Sequence, residues 1–150
     1  MRKEEEEFLF ETPRLFVREC VLADVNNLQK ILGDPEVMQF SLKGPLDKKG
    51  IEAYLYGTLS HYEKNGYGLW ALICKESHAF IGLAGLIKQT LDDSECVELI
   101  YRLAKEYWGQ GLATEAAFAI KEYAFTVLRL DRVVSVQCYR MKILLDSQTV

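Results

Sequence analysis

The sequence predicts a mixed α/β fold, in which a mostly antiparallel sheet carries helices on both faces. Three observations predict it. Apolar residues recur at helical spacing in three segments, and strand-length apolar runs joined by short turns fill the middle of the chain. A glycine-punctuated turn then leads from the last of those runs into the third helical segment.

Taken in order, Leu15–Arg18 alternates apolar and polar residues as a half-buried strand does, and Thr12-Pro13 before it is turn chemistry. Val21, Val25, Leu28 and Leu32 fall on one helical face, and Gly33-Asp34-Pro35 stops that helix. A second helix is expected over Lys48–Asn65, with Ile51, Tyr54, Leu55, Leu59 and Tyr62 as its buried stripe and Asn65-Gly66 as its end. The period then changes. Gly68–Cys74, Phe80–Lys88 and Glu95–Leu103 read as three strands, separated by turns at Lys75-Glu76-Ser77-His78 and Leu91-Asp92-Asp93-Ser94. Short turns make them an antiparallel meander. Gly82 and Gly85 inside the second strand mark a bulge or a close backbone approach.

A helix to about Leu128 follows Gly109-Gln110-Gly111, with Ala113, Ala116, Ala117, Ile120, Tyr123, Ala124 and Val127 on one face. Its alanines let it sit close against a sheet. Arg132–Val136 is a strand directly after that helix, so a right-handed crossover places it parallel to the strand before the helix. The predicted order is β-α-α-β-β-β-α-β.

At 150 residues the chain fits one domain, with a charged flexible tail over residues 1–11, a domain over 12–136 and a divergent stretch over 137–150. A net charge of −4 with scattered lysines and arginines gives no phosphate-binding stripe, so no nucleic-acid partner is expected. No apolar run approaches the roughly 20 residues of a membrane span, and residues 1–7 are charged rather than apolar. A cytoplasmic protein without a membrane role is expected. The cysteines at 20, 74, 96 and 138 form no CxxC pair and have no histidine at ligand spacing, so they read as reduced, buried thiols and no metal is expected.

The turn Trp108-Gly109-Gln110-Gly111-Leu112-Ala113-Thr114 joins a strand to a helix N-terminus, where the first amide N–H groups have no partner within the helix. Two glycines allow backbone dihedrals closed to other residues, so consecutive N–H groups can turn inward as a nest. With the positive end of the helix dipole added, this is a site for a diphosphate that needs no lysine. The plainer reading is a tight strand-to-helix turn. It is neither a P-loop, since no Gly-Lys-Ser/Thr follows, nor a dinucleotide fingerprint, since only two of three spaced glycines are present.

The run from Glu98 to Ala116 resembles the acetyl-CoA-binding motif of the GCN5-related N-acetyltransferases, and within them the branch that includes the ribosomal-protein N-terminal (Rim-type) acetyltransferases. Thr12-Pro-Arg-Leu-Phe-Val-Arg18 followed by Asp24, and Asp34-Pro-Glu-Val-Met38, are similar to two further segments of that branch. The resemblance covers about Thr12 to Val136. In the family's Gln/Arg-x-x-Gly-x-Gly/Ala pattern Trp108 stands where Gln or Arg is usual, with Gly111 and Ala113 at the later marked positions. The resemblance implies that amides of Gly109, Gln110, Gly111, Leu112, Ala113 and Thr114 hold the diphosphate of acetyl-CoA. It also implies that the strand Leu99, Ile100, Tyr101, Arg102, Leu103 pairs with pantetheine amides as an added strand.

An acetyl transfer implied in this way moves the acyl group from acetyl-CoA to a primary amine of a protein N-terminus or small molecule, by direct attack. It needs a neutral amine, a polarised carbonyl and a proton for the leaving thiolate. Glu98 is the candidate base, since burial beside the thioester raises a carboxyl pKa. The amide of Leu99 or Ile100 is the candidate for polarising the carbonyl. Glu98 reads otherwise as an exposed strand carboxylate or a partner of Arg102. Cys96 as a nucleophile needs a depressed pKa and a base. His61 and His78 read as helix-face and turn residues, and Tyr101, Tyr107 and Trp108 as core or pocket-wall aromatics.

Past Val136 the pattern breaks. The family continues with an Asn-containing loop, a helix with Ser and often a Tyr acid, and a final strand pair, none of which matches Gln137 to Val150. That stretch reads as a replaced or shortened end in which Met141–Leu145 serves as a substitute strand. Two readings of another class stay open: a non-catalytic acyl-CoA-binding or interaction domain of this fold, and an unrelated nucleotide-binding module that uses the same turn.

Overall fold

The computed structural model describes residues 7–39, 41, 43–91, 93–137 and 141–146. A single sheet runs in sequence order through β1 (Phe10–Glu11), β2 (Leu15–Glu19), β3 (Leu69–Cys74), β4 (Phe80–Leu91), β5 (Ser94–Leu103), β6 (Arg132–Gln137) and β7 (Met141–Asp146). All neighbours are antiparallel except β5 and β6, which are parallel because α3 (Leu112–Thr126) crosses between them. The other helices are α1 (Val25–Leu32), entered through a 3-10 turn at Leu22–Asp24, and α2 (Lys48–Asn65).

The helices divide between the two faces. Leu15, Val17, Trp70, Leu72, Leu86, Leu99 and Leu103 pack with Leu112, Ala116, Ile120 and Ala124 of α3. On the opposite face Ala71, Ile73 and Leu83 pack with Leu28, Ile31 and Leu32 of α1 and Ile51 and Leu55 of α2. The alternation of strand side chains separates these two cores. On β5 it sends Leu99, Tyr101 and Leu103 toward α3, and turns Glu98, Ile100 and Arg102 to the face of α1 and α2.

Local chemistry explains the element ends. The Asp47 carboxylate accepts from the Gly50 N–H at 2.8 Å and caps α2, a contact of about 1 kcal/mol, and Gly66 closes that helix in the left-handed region. Gly85 in β4 lies against the neighbouring strand, where a Cβ would stand 2.0 Å from the Gly68 carbonyl oxygen. The expected close backbone approach is therefore real.

Several expectations change at the edges. Phe10 and Glu11, placed by sequence in a tail over 1–11, instead pair with Val17 and Phe16. The Phe10 ring stacks on Tyr123 at 4.8 Å and meets Trp70 edge-on at 5.8 Å, so an aromatic anchor holds this strand. Val21 and Val127, expected on buried helical faces, are exposed. Both lie outside the helices they were read into, Val21 before the 3-10 turn and Val127 as the α3 C-cap. Met141–Asp146 does form a strand, paired antiparallel with β6 from Gln137↔Met141 to Arg132↔Asp146. Cys138, Tyr139 and Arg140 lie outside the described residues.

Candidate active site

The Ala104 N–H donates to the Ile81 carbonyl at 2.9 Å, which sets the phase of β5 against β4. Peptide groups of Glu98, Ile100 and Arg102 therefore face β4, and those of Leu99, Tyr101 and Leu103 face β6. With β4 the ladder of β5 is ten residue pairs long, from Leu91↔Ser94 to Gly82↔Leu103. With β6 it is two, Glu98↔Val134 and Leu99↔Ser135. Beyond Leu99 the two parallel strands part while β5 runs on to Leu103.

Past Leu103 the chain makes a 3-10 turn at Lys105–Tyr107 and reaches the glycines. Gly109 has φ 75° and Gly111 φ 79°, in the left-handed region that side chains resist. Gly111 is the N-cap of α3, and its carbonyl accepts the Glu115 N–H at 3.0 Å. No side chain caps this end. The amides of Leu112, Ala113 and Thr114 are thus the helix's first, with no acceptor inside α3. Trp108 is 44% exposed at the turn, and its indole N–H donates to the Leu103 carbonyl at 2.9 Å, fixing the ring against the end of β5.

The turn is also held from a distance. From the loop between β1 and β2, Arg14 donates through Nη1 to the Gln110 carbonyl at 2.9 Å and through Nε to Glu115 Oε1 at 2.7 Å. Glu115 Oε2 accepts from the Thr12 hydroxyl at 2.5 Å and from the Arg14 N–H at 2.9 Å. Burial pushes the Glu115 carboxyl up, but these donors outweigh it and hold it below its ordinary value.

A family model for the acetyltransferase (GNAT) domain matches residues 14–138 of this chain. The chain belongs to the GNAT acetyltransferase family. The uncharacterized N-acetyltransferase p20 of Bacillus licheniformis is 28% identical over 123 residues, 81% of this chain and 68% of that one. Another curated relative, 30% identical over 95 residues, is matched over 55% of its own length. The acetyltransferase from Agrobacterium tumefaciens str. C58 superposes with a TM-score of 0.71 at 26% identity, covering 89% of this chain and 78% of that one. The Salmonella typhimurium acetyl transferase that modifies the N-terminal serine of the 50S ribosomal subunit protein L7/L12 shares the fold, with a TM-score of 0.71 at 16% identity over 86% of this chain and 74% of that one.

In this GNAT chain Glu98 stands at the fork, on the first of the two β5 residues paired with β6. One of its oxygens accepts from Gln89 Nε2 at 3.1 Å, and Arg102, the partner considered from sequence, donates instead to the Met38 sulfur at 3.4 Å. Burial raises the Glu98 carboxyl above its ordinary value, and neither the Gln89 bond nor the Arg102 charge cancels this. The remaining candidates fall into supporting places. Lys88 N–H donates to His61 Nε2 at 3.1 Å, so the Nδ1 proton points to the Tyr67 carbonyl at 2.7 Å and the ring ties α2 to β4. His78 sits in the β3–β4 turn at φ 59°. Tyr101 and Tyr107 pack partly buried against the α3-side core. Cys96 and Cys74, read from sequence as buried thiols, are only half-buried. Among the described residues no cluster of three His, Cys, Asp or Glu is placed to hold a metal ion, and no helix is long and apolar enough to cross a membrane.

Sequence reasoning missed the Arg14–Glu115–Gln110 contacts. It also missed a cavity of about 360 Å³ beside the turn, lined by Arg14, Cys74, Lys75, Ser77, Tyr107 and Gln110 among others. No local pattern links residues about a hundred positions apart.

Proposed function

We propose that this chain is an N-acetyltransferase that moves the acetyl group of acetyl-CoA to a primary amine of a protein N-terminus or small molecule, by direct attack. The observation that carries the reading is the fork between β5 and β6, which opens toward a helix N-terminus preceded by two left-handed glycines. Amides from Gly109 to Thr114 take the diphosphate of the donor, with Trp108 beside them. The β5 edge from Leu99 to Leu103 takes the pantetheine amides. From Glu98 to Leu103 is five steps along the strand, roughly 17 Å, comparable with the extended pantetheine arm. The thioester then lies near Glu98.

The amine nitrogen attacks the thioester carbonyl carbon, the C–S bond breaks, and CoA leaves as its thiolate. Glu98, whose carboxylate holds a proton more readily than an ordinary glutamate, takes the proton that the amine sheds, directly or through water. Of the two amides considered for polarising the carbonyl oxygen, that of Ile100 faces the β4 ladder and Leu99 pairs with Ser135 of β6, so neither is assigned that role. The acceptor approaches on the face of α1 and α2, where the Glu98 side chain lies. The catalytic unit spans 12–136, and its place of work is the cytoplasm.

The test is CoA release measured with a thiol reagent over a panel of peptides and small amines, together with thermal shifts for acetyl-CoA, CoA and ATP. Acetyl-CoA should stabilise the fold, and at least one amine should accelerate thiol release. Stabilisation by acetyl-CoA without acceleration by any amine supports a binding-only domain. Stabilisation by ATP and not by acetyl-CoA overturns the reading.

A further inference from the structure

The Gln110–Gly111 peptide group at the centre of the turn is not free to rotate, and the side chain that restrains it comes from the far end of the chain. A trans peptide points its carbonyl and the following N–H in opposite directions. Arg14 Nη1 holds the Gln110 carbonyl at 2.9 Å on the side of the β1–β2 loop. The Gly111 N–H is therefore turned to the opposite side, with the helix amides that follow. We infer that Arg14 is a positioning residue for the donor's diphosphate: it fixes the Gln110–Gly111 peptide so that the amide grip exists before the ligand arrives. The inference rests on the reading of the turn as a diphosphate site.

Two features support it. Gly111 flanks the guanidinium closely, since a Cβ there would stand 3.6 Å from Arg14 Nη2, so loop and arginine are in contact. Glu115, a carboxylate in the first turn of α3, would compete with an anion at that helix end. Here both of its oxygens are committed to Thr12 and Arg14, and its charge is balanced by the same guanidinium that holds the loop. Arg14 thus removes a rival and orients a donor group at once. Only a planar fork does both, because Nε serves Glu115 while Nη1 serves the carbonyl.

The Arg14 side chain is 46% exposed, so its ion pair adds little to folding and its variants should remain folded. The experiment is calorimetric titration of the wild-type chain, Arg14→Ala and Arg14→Lys with CoA and with pantetheine, which lacks the diphosphate. Melting temperatures are recorded alongside. Both variants should bind CoA roughly tenfold more weakly, as for one lost oriented contact, and lysine should not rescue. Pantetheine affinity should be unchanged. Wild-type affinity for CoA in either folded variant overturns the inference and leaves the functional reading intact. Equal weakening for both ligands assigns Arg14 a merely structural role and also overturns it. A wild-type chain that does not bind CoA removes the functional reading and the inference with it.

Discussion

Arg18 and Asp24 face each other as a forked ion pair, with Nη1 2.8 Å from Oδ2 and Nη2 2.9 Å from Oδ1, and it joins the end of β2 to the entry of α1. The pair is enclosed, the Asp24 side chain being 3% exposed. Asp24 also accepts from the Val21 N–H at 2.8 Å and from Asn27 Nδ2 at 3.2 Å. Removing one partner strands the other's charge in the interior. Asp24→Ala should therefore cost about 3–5 kcal/mol in denaturant unfolding.

The same pair sets an acid limit. Burial pushes the Asp24 carboxyl up, but Arg18, Val21 and Asn27 outweigh it and hold it below its ordinary value of 3.8. The unfolded chain then binds that proton more readily than the folded one. The pair's contribution is complete above the ordinary value and is lost as pH falls through the lower folded value. The melting-temperature gap between wild type and Asp24→Asn should be widest near neutrality and shrink in strong acid.

Glu98→Gln should lower turnover about 10²–10⁴-fold, with little change in CoA affinity. Because burial raises the Glu98 carboxyl, the acid limb of the rate profile should lie above the ordinary value of 4.5. The Gln89 bond at 3.1 Å pulls the other way, so Gln89→Leu should move that limb further up. An unshifted limb in this variant would separate Glu98 from the proton transfer.

Gly109→Ala and Gly111→Ala test the loop's backbone. Nothing lies within 4 Å of a Cβ at 109, so the cost there is the left-handed φ of 75° alone, about 1–2 kcal/mol. A chain that instead relaxes its dihedrals will lose CoA affinity more than stability. Gly85→Ala is different, because its Cβ would meet a carbonyl oxygen at 2.0 Å. It should cost about 3 kcal/mol or more and be read in melting temperature.

Thiol labelling should discriminate Cys20 from Cys74. Burial pushes the Cys20 thiol up to about 12, whereas hydrogen bonds from Ser77 hold Cys74 below its ordinary value. Iodoacetamide near pH 8 should mark Cys74 first in a peptide map, and Cys20 only after unfolding.

Periodicity made most of this fold legible, because each helix and each long strand writes its buried face into local spacing. The left-handed glycines were legible too, since they sit between a strand and a helix with no residue to replace them. Phe10 was not, as a two-residue strand has no period and a charged run precedes it. Its order comes from Trp70 and Tyr123, both distant in sequence. Val21 and Val127 misled for a related reason: apolar spacing carried on one step past the helix ends. The Arg14 contacts with Gln110 and Glu115 depend on the folded sheet bringing a hairpin turn to α3, and no window of sequence contains both.

In the proposed reaction, main-chain N–H groups around residue 110 grip the donor's diphosphate. Amide proton–nitrogen correlation spectra recorded while CoA is added read those groups one by one. Gly109, Gly111, Leu112, Ala113 and Thr114 should shift most and saturate together, and the same amides should stay still when pantetheine replaces CoA. Saturating shifts confined to other segments, or none at all, would contradict such a grip.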